Sequence, residues 1–494
     1  MDIIQVEELR NIVGKENTHD APDVLSRYSR DESFIPPSKP SAVVKPSTTE
    51  EVESLIKWAN STSNSLVPVS SGSPHFKGDS VPNVPGAIIV DLSDMRRILK
   101  VDRRNKMAWI EPGVTWTDLQ PELAKAGLYL PMPLIPRKTK SVLGSLLERE
   151  PMTVPKYHWT MLEPLRCCEV VWGSGDKMWT GEAGDQAGTL EERWSKLLFQ
   201  VNPMGPYQTD FYRFLSAAQG SMGIVTCASV KCEVLPQIHK LFLITTEYLN
   251  DLLEFAYKLL KIRYGHEIYV LNKSNLVNML GNKMDNCNNI SQKIRNWNMV
   301  LGIAGLDRFP QEKVRYQEKE IREIAQEYGL SLTSDILGEK NTLLREIIGK
   351  PSEDKYWKLN YKGGFHDIFF ITTFEQTERY IEIMKSLAQT CGYPFQDIGI
   401  YLQPLMQGVC CHCEFVIPFD KDNEVEIKAV QSLIDEGSWV LLEQGAFFSR
   451  PYGNWADMVY TADIQNTIAL KKIKNIFDPR NVMNPGKLCF SEKF

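Results

Sequence analysis

Ionisable side chains with aromatic neighbours occur in two segments that lie far apart in the 494-residue chain. The first segment contains Arg149, Lys156, Tyr157 and His158, a set that suits an anionic substrate or the acceptance of a proton. The second segment, EQGAFFSRPYGNW, contains Arg450, whose guanidinium could hold a carboxylate or phenolate by a charge-assisted hydrogen bond. Two plainer interpretations stay open, because His158 could be a buried packing residue and Arg450 a solvated loop residue.

The run CCHCE offers a third group of reactive side chains. Alternation along a strand would place Cys411 and Cys413 on one face, and His412 with Glu414 on the other. His412 could then accept a proton from a bound substrate. A zinc site usually spaces two ligands as Cys-x2-4-Cys and takes a second pair from elsewhere, so this run is too crowded for one tetrahedral ion. We therefore expect packing cysteines and no bound metal.

Small residues lie beside apolar runs at three places. The loop Ser70–Gly78 follows the strand-like run SLVPV, the turn SVLG begins at Ser141, and QGSMGIVT places two glycines before another apolar run. Small side chains let backbone amides approach a phosphate closely. Each motif is by itself equally typical of an ordinary glycine-containing loop.

The bulk composition excludes several classes of protein. An apolar content of 43% and a charged content of 24% are those of a folded globular chain, and the formal net charge of -6 gives no reason to expect a nucleic-acid partner. No apolar run reaches the roughly 18 residues that a membrane helix needs. The acidic start MDIIQVEELR does not resemble a secretory signal, and the ten cysteines are mostly dispersed. We expect a cytoplasmic protein.

Alternating short strands and helices must position these residues. TTEEVESLIKWANSTS has helical spacing behind a capping box, and GSGD between apolar runs predicts a hairpin turn. Strand–loop–strand–helix units predict an α+β fold. The composition changes near residue 237 to helices rich in Lys, Asn and Leu mixed with strands. We predict domains over residues 1–236 and 237–450, with 451–494 as a C-terminal segment.

The order of the motifs carries more information than any one of them. The loop at 70–78, EPGVT at 111, SVLG at 141, GSMGIVT at 220 and the final FDPRNVMNPGK together resemble the vanillyl-alcohol oxidase / p-cresol methylhydroxylase superfamily of flavoproteins. The resemblance covers residues 45–236 and about the last forty residues. It implies FAD held between two α+β subdomains, under an α+β cap domain that places substrate near the flavin N5. The cofactor-binding residues it implies are Ser70, Ser71, Gly72, Ser73, Pro74, His75, Pro136, Ser141, Val142, Gly144, Ser145, Gly220, Gly223, Ile224, Val225, Asn484 and Lys487.

The resemblance also bears on how the flavin is held. Some members attach it covalently through a His in the pyrophosphate loop, where Pro74 matches that position and His75 lies one residue later. In the vanillyl-alcohol oxidase branch the attachment site is a cap-domain His, where Asp367 is the best match and His366 is one residue away. We therefore expect non-covalent FAD.

An FAD-dependent dehydrogenase is the function that the resemblance favours. The substrate, a para-substituted phenol, a benzylic alcohol or a 2-hydroxy acid, would pass a hydride to flavin N5. The candidate catalytic residues are Tyr157, His158, His412 and Arg450. The alternatives are an electron-transferring subunit with an iron–sulfur or other acceptor protein, and a non-redox flavin-dependent transferase. We also expect a homo-oligomer.

Overall fold

A small, mostly parallel sheet forms near the N-terminus of the computed structural model, which describes residues 3–156, 164–206, 208–281, 294–334, 342–353 and 355–491. Its strand order is β1-β2-β4-β3, with β2 and β3 parallel to β4. Apolar residues of these strands and of the flanking helices form one core. The elements are α1 (Ile3–Val13), β1 (Thr18–His19), α2 (Pro22–Tyr28), β2 (Ala42–Val44), α3 (Thr49–Thr62), β3 (Leu66–Val69) and β4 (Ile88–Asp91).

Helix α3 lies where the sequence predicted it, with one difference in how its first turn is capped. The Thr48 side chain accepts a hydrogen bond from the Glu51 backbone N–H, as an N-cap residue should. The Glu51 carboxylate, however, accepts from the backbone and the hydroxyl of Ser47, so the predicted capping box is not closed on Thr48.

The second sheet is antiparallel, with strand order β5-β6-β10-β8-β9. The predicted hairpin is confirmed, because the strands on both sides of Gly173–Asp176 pair with each other. A further pair joins β7 to β11. The elements are β5 (Ile98–Asp102), β6 (Met107–Ile110), α4 (Trp116–Lys125), β7 (Leu128–Tyr129), α5 (Val142–Leu147), β8 (Leu165–Trp172), β9 (Lys177–Trp179), α6 (Leu190–Ser195), β10 (Gly223–Lys231) and β11 (Glu233–Val234).

The third sheet has six antiparallel strands in the order β12-β14-β13-β16-β17-β15. Its helices cover apolar side chains that form the largest core of the described residues. The elements are β12 (Ile238–Thr246), α7 (Leu249–Lys261), β13 (Ile268–Asn272), α8 (Lys273–Leu280), β14 (Trp297–Gly305), α9 (Pro310–Glu327), α10 (Thr342–Ile348), β15 (Gly363–Thr372), α11 (Thr377–Thr390), β16 (Gly399–Leu405), β17 (Cys410–Asp420) and α12 (Glu424–Glu443). The mixture of sheets and helices confirms the α+β prediction, and the predicted boundary at residue 236 falls between β11 and β12. The domain division itself stays a prediction.

The last residues of the chain return to the first two sheets after α13 (Asn454–Ala462) and α14 (Ile464–Phe477). The backbone N–H of Leu66 donates to Val482, and that of Asn484 donates to Leu66, so this segment lies beside β3. Met483 is fully buried in the core of the first sheet. Along the described residues, no helix combines the length and the apolar character needed to cross a membrane.

Candidate active site

A deep cleft lies where the loops of the first two sheets meet the third sheet. Its volume is about 1740 Å³, including space open to solvent. One wall is built from Val69–Ser71, from Gly144 in α5 and from Gly223–Val225 at the start of β10. The opposite wall comes from residues of β15, β16 and β17 and from the segments that precede β15 and α13. We call the first the loop wall and the second the sheet wall.

The loop wall has almost no room for larger side chains. A Cβ atom added at Gly144 would lie 3.3 Å from the hydroxyl oxygens of both Ser70 and Ser71. One added at Gly223 would lie 2.6 Å from the Val171 carbonyl oxygen. The Ser141 backbone N–H donates to Ser71 Oγ over 3.0 Å, which fixes the loop after β3 against the start of α5. Backbone and small polar groups therefore form the surface of this wall.

The predicted cofactor-binding residues divide into those on the loop wall and those behind it. Lining the cleft are Ser70, Ser71, His75, Pro136, Gly144, Gly220, Gly223, Ile224 and Val225. Outside the cleft lining are Gly72, Ser73, Pro74, Ser141, Val142, Ser145, Asn484 and Lys487.

Several of the residues behind the wall support it by hydrogen bonds. Ser145 Oγ accepts from the indole N–H of Trp116 over 3.0 Å. Asn484 Nδ2 donates to the Gln219 carbonyl over 2.7 Å. Lys487 Nζ donates to the carbonyls of Gly78 and Val81 over 2.7 and 2.8 Å, at the end of the loop that follows β3.

Of the four predicted catalytic residues, Arg450 faces the cleft. Its side chain is buried, and Cζ lies 4.1 Å from the centroid of the Phe369 ring. Among the described residues Nη1 has no hydrogen-bond partner. Tyr157 and His158 lie outside the described residues.

His412 does not itself line the cleft, but its ring contacts Glu414, which does. Its ring is buried, and Nε2 lies 3.2 Å from Oε2 of Glu414, which itself lines the cleft. Burial lowers the pKa of His412 below its ordinary value, although the adjacent carboxylate opposes this effect. Cys411 and Cys413 point the other way into the apolar core, so the predicted alternation along β17 is confirmed. Among the described residues, no group of three His, Cys, Asp or Glu side chains is placed to hold a metal ion.

A buried charge cluster on the sheet wall was not predicted from the sequence. Lys358 Nζ donates to Asp367 Oδ2 over 2.9 Å and to Glu414 Oε1 over 2.6 Å. Burial raises the pKa of Asp367 to about 6, with Glu414 adding to the shift and Lys358 opposing it. Burial would also raise the pKa of Glu414, but Lys358 and His412 hold it well below its usual range.

A second charge cluster lies where the two walls meet. Lys140 Nζ is 2.5 Å from Glu148 and 3.4 Å from Glu150, and Lys77 Nζ is 3.7 Å from each carboxylate. Burial would raise the pKa of Glu150, yet the two lysines hold it well below its usual range. Lys77 was not predicted as a site residue, although its position in the small-residue loop Ser70–Gly78 could have suggested it.

Arg149, which also suited an anionic substrate by type, has a different neighbourhood. Its guanidinium donates to the hydroxyl of Ser216 over 2.8 Å and to the Ser216 carbonyl over 3.1 Å. It is not among the residues that line the cleft.

Aromatic rings cover much of the sheet wall, and one more ring, that of Phe76, comes from the loop that follows β3. Phe76 and Phe365 have ring centroids 4.8 Å apart, and Tyr356 lies within 5.7 Å of both. Phe369 lies beneath Arg450, and Lys77 Nζ is 5.3 Å from the Tyr452 ring centroid. The cleft thus combines an aromatic surface with a few cations and carboxylates, an arrangement typical of sites for small organic molecules.

Comparison with known proteins agrees with this geometry. The FAD binding domain family matches residues 40–151. The 4-cresol dehydrogenase [hydroxylating] flavoprotein subunit of Pseudomonas putida is 21% identical, over 98% of this chain and 94% of its own. The D-2-hydroxyglutarate dehydrogenase of Stutzerimonas stutzeri is 27% identical, over 47% of this chain and 46% of its own. A solved 4-ethylphenol oxidase from Gulosibacter chungangensis superposes with a TM-score of 0.83 at 20% identity, covering 99% of this chain and 97% of that one.

The fold and the matched domain define a class of protein, the FAD-dependent oxidoreductases. Within that class, the chain is similar over nearly its whole length to the flavoprotein subunit of 4-cresol dehydrogenase, and its motif order resembles the vanillyl-alcohol oxidase / p-cresol methylhydroxylase superfamily. FAD is the cofactor.

The loop wall fits such a cofactor. Glycine at 144 lets the start of α5 pack against Ser70 and Ser71, and glycine at 223 lets β10 pack against β8, so backbone and small polar groups form a surface that a flavin and its phosphates can approach closely. Ser70, Ser71, Gly144 and Gly223 are the residues that would hold it.

Proposed function

We propose that the protein oxidises a small hydroxylated aromatic molecule, a para-substituted phenol or a benzylic alcohol. Arg450 carries this proposal, because a buried guanidinium with an unpaired Nη1 among the described residues calls for an anionic or strongly accepting oxygen in the cleft. The aromatic rings of the sheet wall provide the surface on which a substrate ring would pack. FAD supplies the redox chemistry by accepting the hydride, and the protein supplies binding, orientation and charge.

A 2-hydroxy acid is the second candidate. Its carboxylate would suit Arg450 equally well, and one of the similar sequences is a D-2-hydroxyglutarate dehydrogenase. We rank it second because the rings around Phe365 and Phe369 offer little to a short polar acid.

We infer that the flavin is bound without a covalent link. His366 does not line the cleft, and its ring stacks on Phe34 with centroids 5.7 Å apart. Burial lowers the pKa of His366 to about 4. His75 does line the cleft, so it is the residue to examine if the flavin stays with precipitated protein.

The test is anaerobic reduction of the holoenzyme by 4-hydroxybenzyl alcohol, 4-ethylphenol and D-lactate, followed by flavin absorbance. The proposal expects reduction by the two aromatic compounds and slow or no reduction by D-lactate. Arg450→Lys should raise KM for the aromatic compounds by about 10- to 100-fold, because a charge-assisted hydrogen bond contributes about 1.5–3 kcal/mol. Arg149→Lys is the matched control and should leave KM unchanged. Reduction by D-lactate alone would replace the proposal with the 2-hydroxy-acid candidate.

The same preparation distinguishes the remaining alternatives. An enzyme that turns over without any electron acceptor would be a transferase. One that is reduced by substrate but reoxidised only by an iron–sulfur protein would be an electron-transferring subunit. Gel filtration and cell fractionation would test the expected homo-oligomer and cytoplasmic location.

A further inference from the structure

Three residues that line the cleft have a buried polar atom without a hydrogen-bond partner among the described residues. Two of these atoms are donors, Trp357 Nε1 and Arg450 Nη1. The third is an acceptor, Oδ1 of Asp367, whose side chain is 12% exposed and whose other oxygen accepts from Lys358. Burying a carboxylate oxygen without a hydrogen-bond donor costs free energy. A hydroxyl donor from a bound molecule would offset that cost.

The unpaired acceptor and the Arg450 donor line the same cleft, and both are neighbours of Phe369. Asp367 and Phe369 are two residues apart on β15 and therefore point to the same face, about 6.6 Å apart along the strand. The Arg450 guanidinium stacks on that same Phe369 ring. One small aromatic molecule can thus present a hydroxyl to Asp367 and an oxygen anion to Arg450.

We propose that Asp367 is the catalytic residue that accepts the hydroxyl proton when the cleft binds an alcohol. This inference rests on the proposed oxidation of benzylic alcohols. The substrate O–H bond breaks and its proton passes to Asp367 Oδ1. FAD, when bound, would supply the oxidant by taking the C–H electron pair as hydride, and the carbon–oxygen bond would become a carbonyl. The products are an aldehyde and reduced FAD, so atoms and electrons balance.

The surroundings of Asp367 suit a base of this kind. Its raised pKa, about 6, leaves it ionised at neutral pH and still able to hold a proton. The charged and titratable groups that interact with it come from three other segments of the chain, and they are Lys77, Lys358, Tyr356 and Glu414. Asp367 also lines an outer cavity between the loop at 33–36 and α12, which gives the proton a route to solvent.

An alkylphenol provides the control within the same enzyme. 4-Hydroxybenzyl alcohol has a hydroxyl on the carbon that is oxidised, whereas 4-ethylphenol has none there. Asp367→Asn should therefore lower kcat/KM for the alcohol by about 100- to 10,000-fold, the usual contribution of a general base. For the alkylphenol the loss should stay below about tenfold. Flavin content and the unfolding transition confirm that the variant is folded.

The pH profile separates a proton acceptor from a structural carboxylate. In the wild-type holoenzyme, kcat/KM for the alcohol should rise through about pH 6, the pKa of Asp367. Asp367→Asn should abolish this rise, which is the acidic limb of the pH profile. Glu414→Gln should move it to lower pH, because removing the neighbouring anion lowers the pKa of Asp367.

A binding measurement gives a readout that does not depend on turnover. The aldehyde oxygen of the product 4-hydroxybenzaldehyde accepts hydrogen bonds but has no hydrogen to donate. The product should therefore bind the form in which Asp367 is protonated. With a pKa of about 6, the ratio of its Kd in the wild type to its Kd in Asp367→Asn should be about tenfold lower at pH 5 than at pH 7, because this ratio cancels the ionisation of the ligand's own phenol.

Two negative results have different meanings. If neither aromatic compound reduces the wild-type flavin, the proposed function is wrong and the role of Asp367 falls with it. If both reduce it, but Asp367→Asn loses the two activities equally or keeps the limb near pH 6, only the assignment of Asp367 is overturned.

Discussion

Replacing Lys358 by Met tests whether the charge cluster on the sheet wall depends on a single cation. The Lys358 side chain is 8% exposed and is the only one among the described residues that forms ion pairs with both Asp367 and Glu414. Its loss leaves two carboxylates in a buried site, and breaking a buried ion pair costs about 3–5 kcal/mol. We expect a decrease of that size in the free energy of unfolding at pH 8.

The size of the decrease should depend on pH in a defined direction. Without the lysine, Asp367 stays neutral in the folded protein, whereas in the wild type it ionises above its pKa of about 6. Each pH unit above 6 therefore adds about 1.4 kcal/mol to the cost of the substitution, or about 2.7 kcal/mol at pH 8. At pH 5 Asp367 is protonated in both proteins, so this contribution disappears and only the lost pair with Glu414 remains.

Urea denaturation followed by tryptophan fluorescence at pH 5 and pH 8 measures both quantities. Lys362→Met is the matched control, because Lys362 also forms ion pairs with two carboxylates, those of Asp397 and Glu426, but its side chain is 19% exposed. An ion pair nearer to solvent contributes about 0–1 kcal/mol, so this variant should lose little at either pH. Equal losses for the two variants, or a loss at Lys358 that does not change between pH 5 and pH 8, would refute the reasoning.

Three further outcomes are expected. Gly144→Val should lower the ratio of bound flavin to protein in the purified enzyme, because its Cβ would approach the hydroxyls of Ser70 and Ser71 to 3.3 Å before the two methyl groups are added. Acid precipitation should release the flavin absorbance into the supernatant, and a yellow pellet would contradict the non-covalent proposal. The pKa of His366 falls from its ordinary 6.5 to about 4 on burial, so the unfolded state binds the extra proton first and stability falls as the pH decreases from 6.5 to 4. His366→Gln should show a smaller loss over that window in the same urea titration.

Local patterns in the sequence predicted several helices, strands and turns. The loop at 70–78, the hairpin turn at 173–176 and the alternation along β17 depend on residues that are close in sequence. Turn chemistry and strand periodicity are local, so one sequence suffices to predict them. The order of the motifs then predicted the superfamily.

The contacts of the sheet wall could not be predicted from local sequence patterns. Asp367 was considered only as the match to an attachment site, and Lys358 was not considered at all. The Lys358–Glu414 bond joins residues 56 positions apart, through a strand register that no local pattern specifies. Arg450 was predicted by its type and its aromatic neighbours, but its stacking on Phe369 depends on how the segment before α13 packs against β15.

The return of the C-terminal segment to β3 has a consequence for biosynthesis. Lys487 holds the carbonyl of Gly78 from 409 residues further along the chain, and residues 482–484 extend beside β3. The ribosome must therefore translate nearly all of this sequence before the loop wall gains its last supports. Until those residues are translated, the loop that follows β3 lacks its bonds to Lys487, and β3 lacks its backbone bonds to residues 482–484. Synthesis that stopped before residue 482 would leave a product without these bonds, which proteases could recognise.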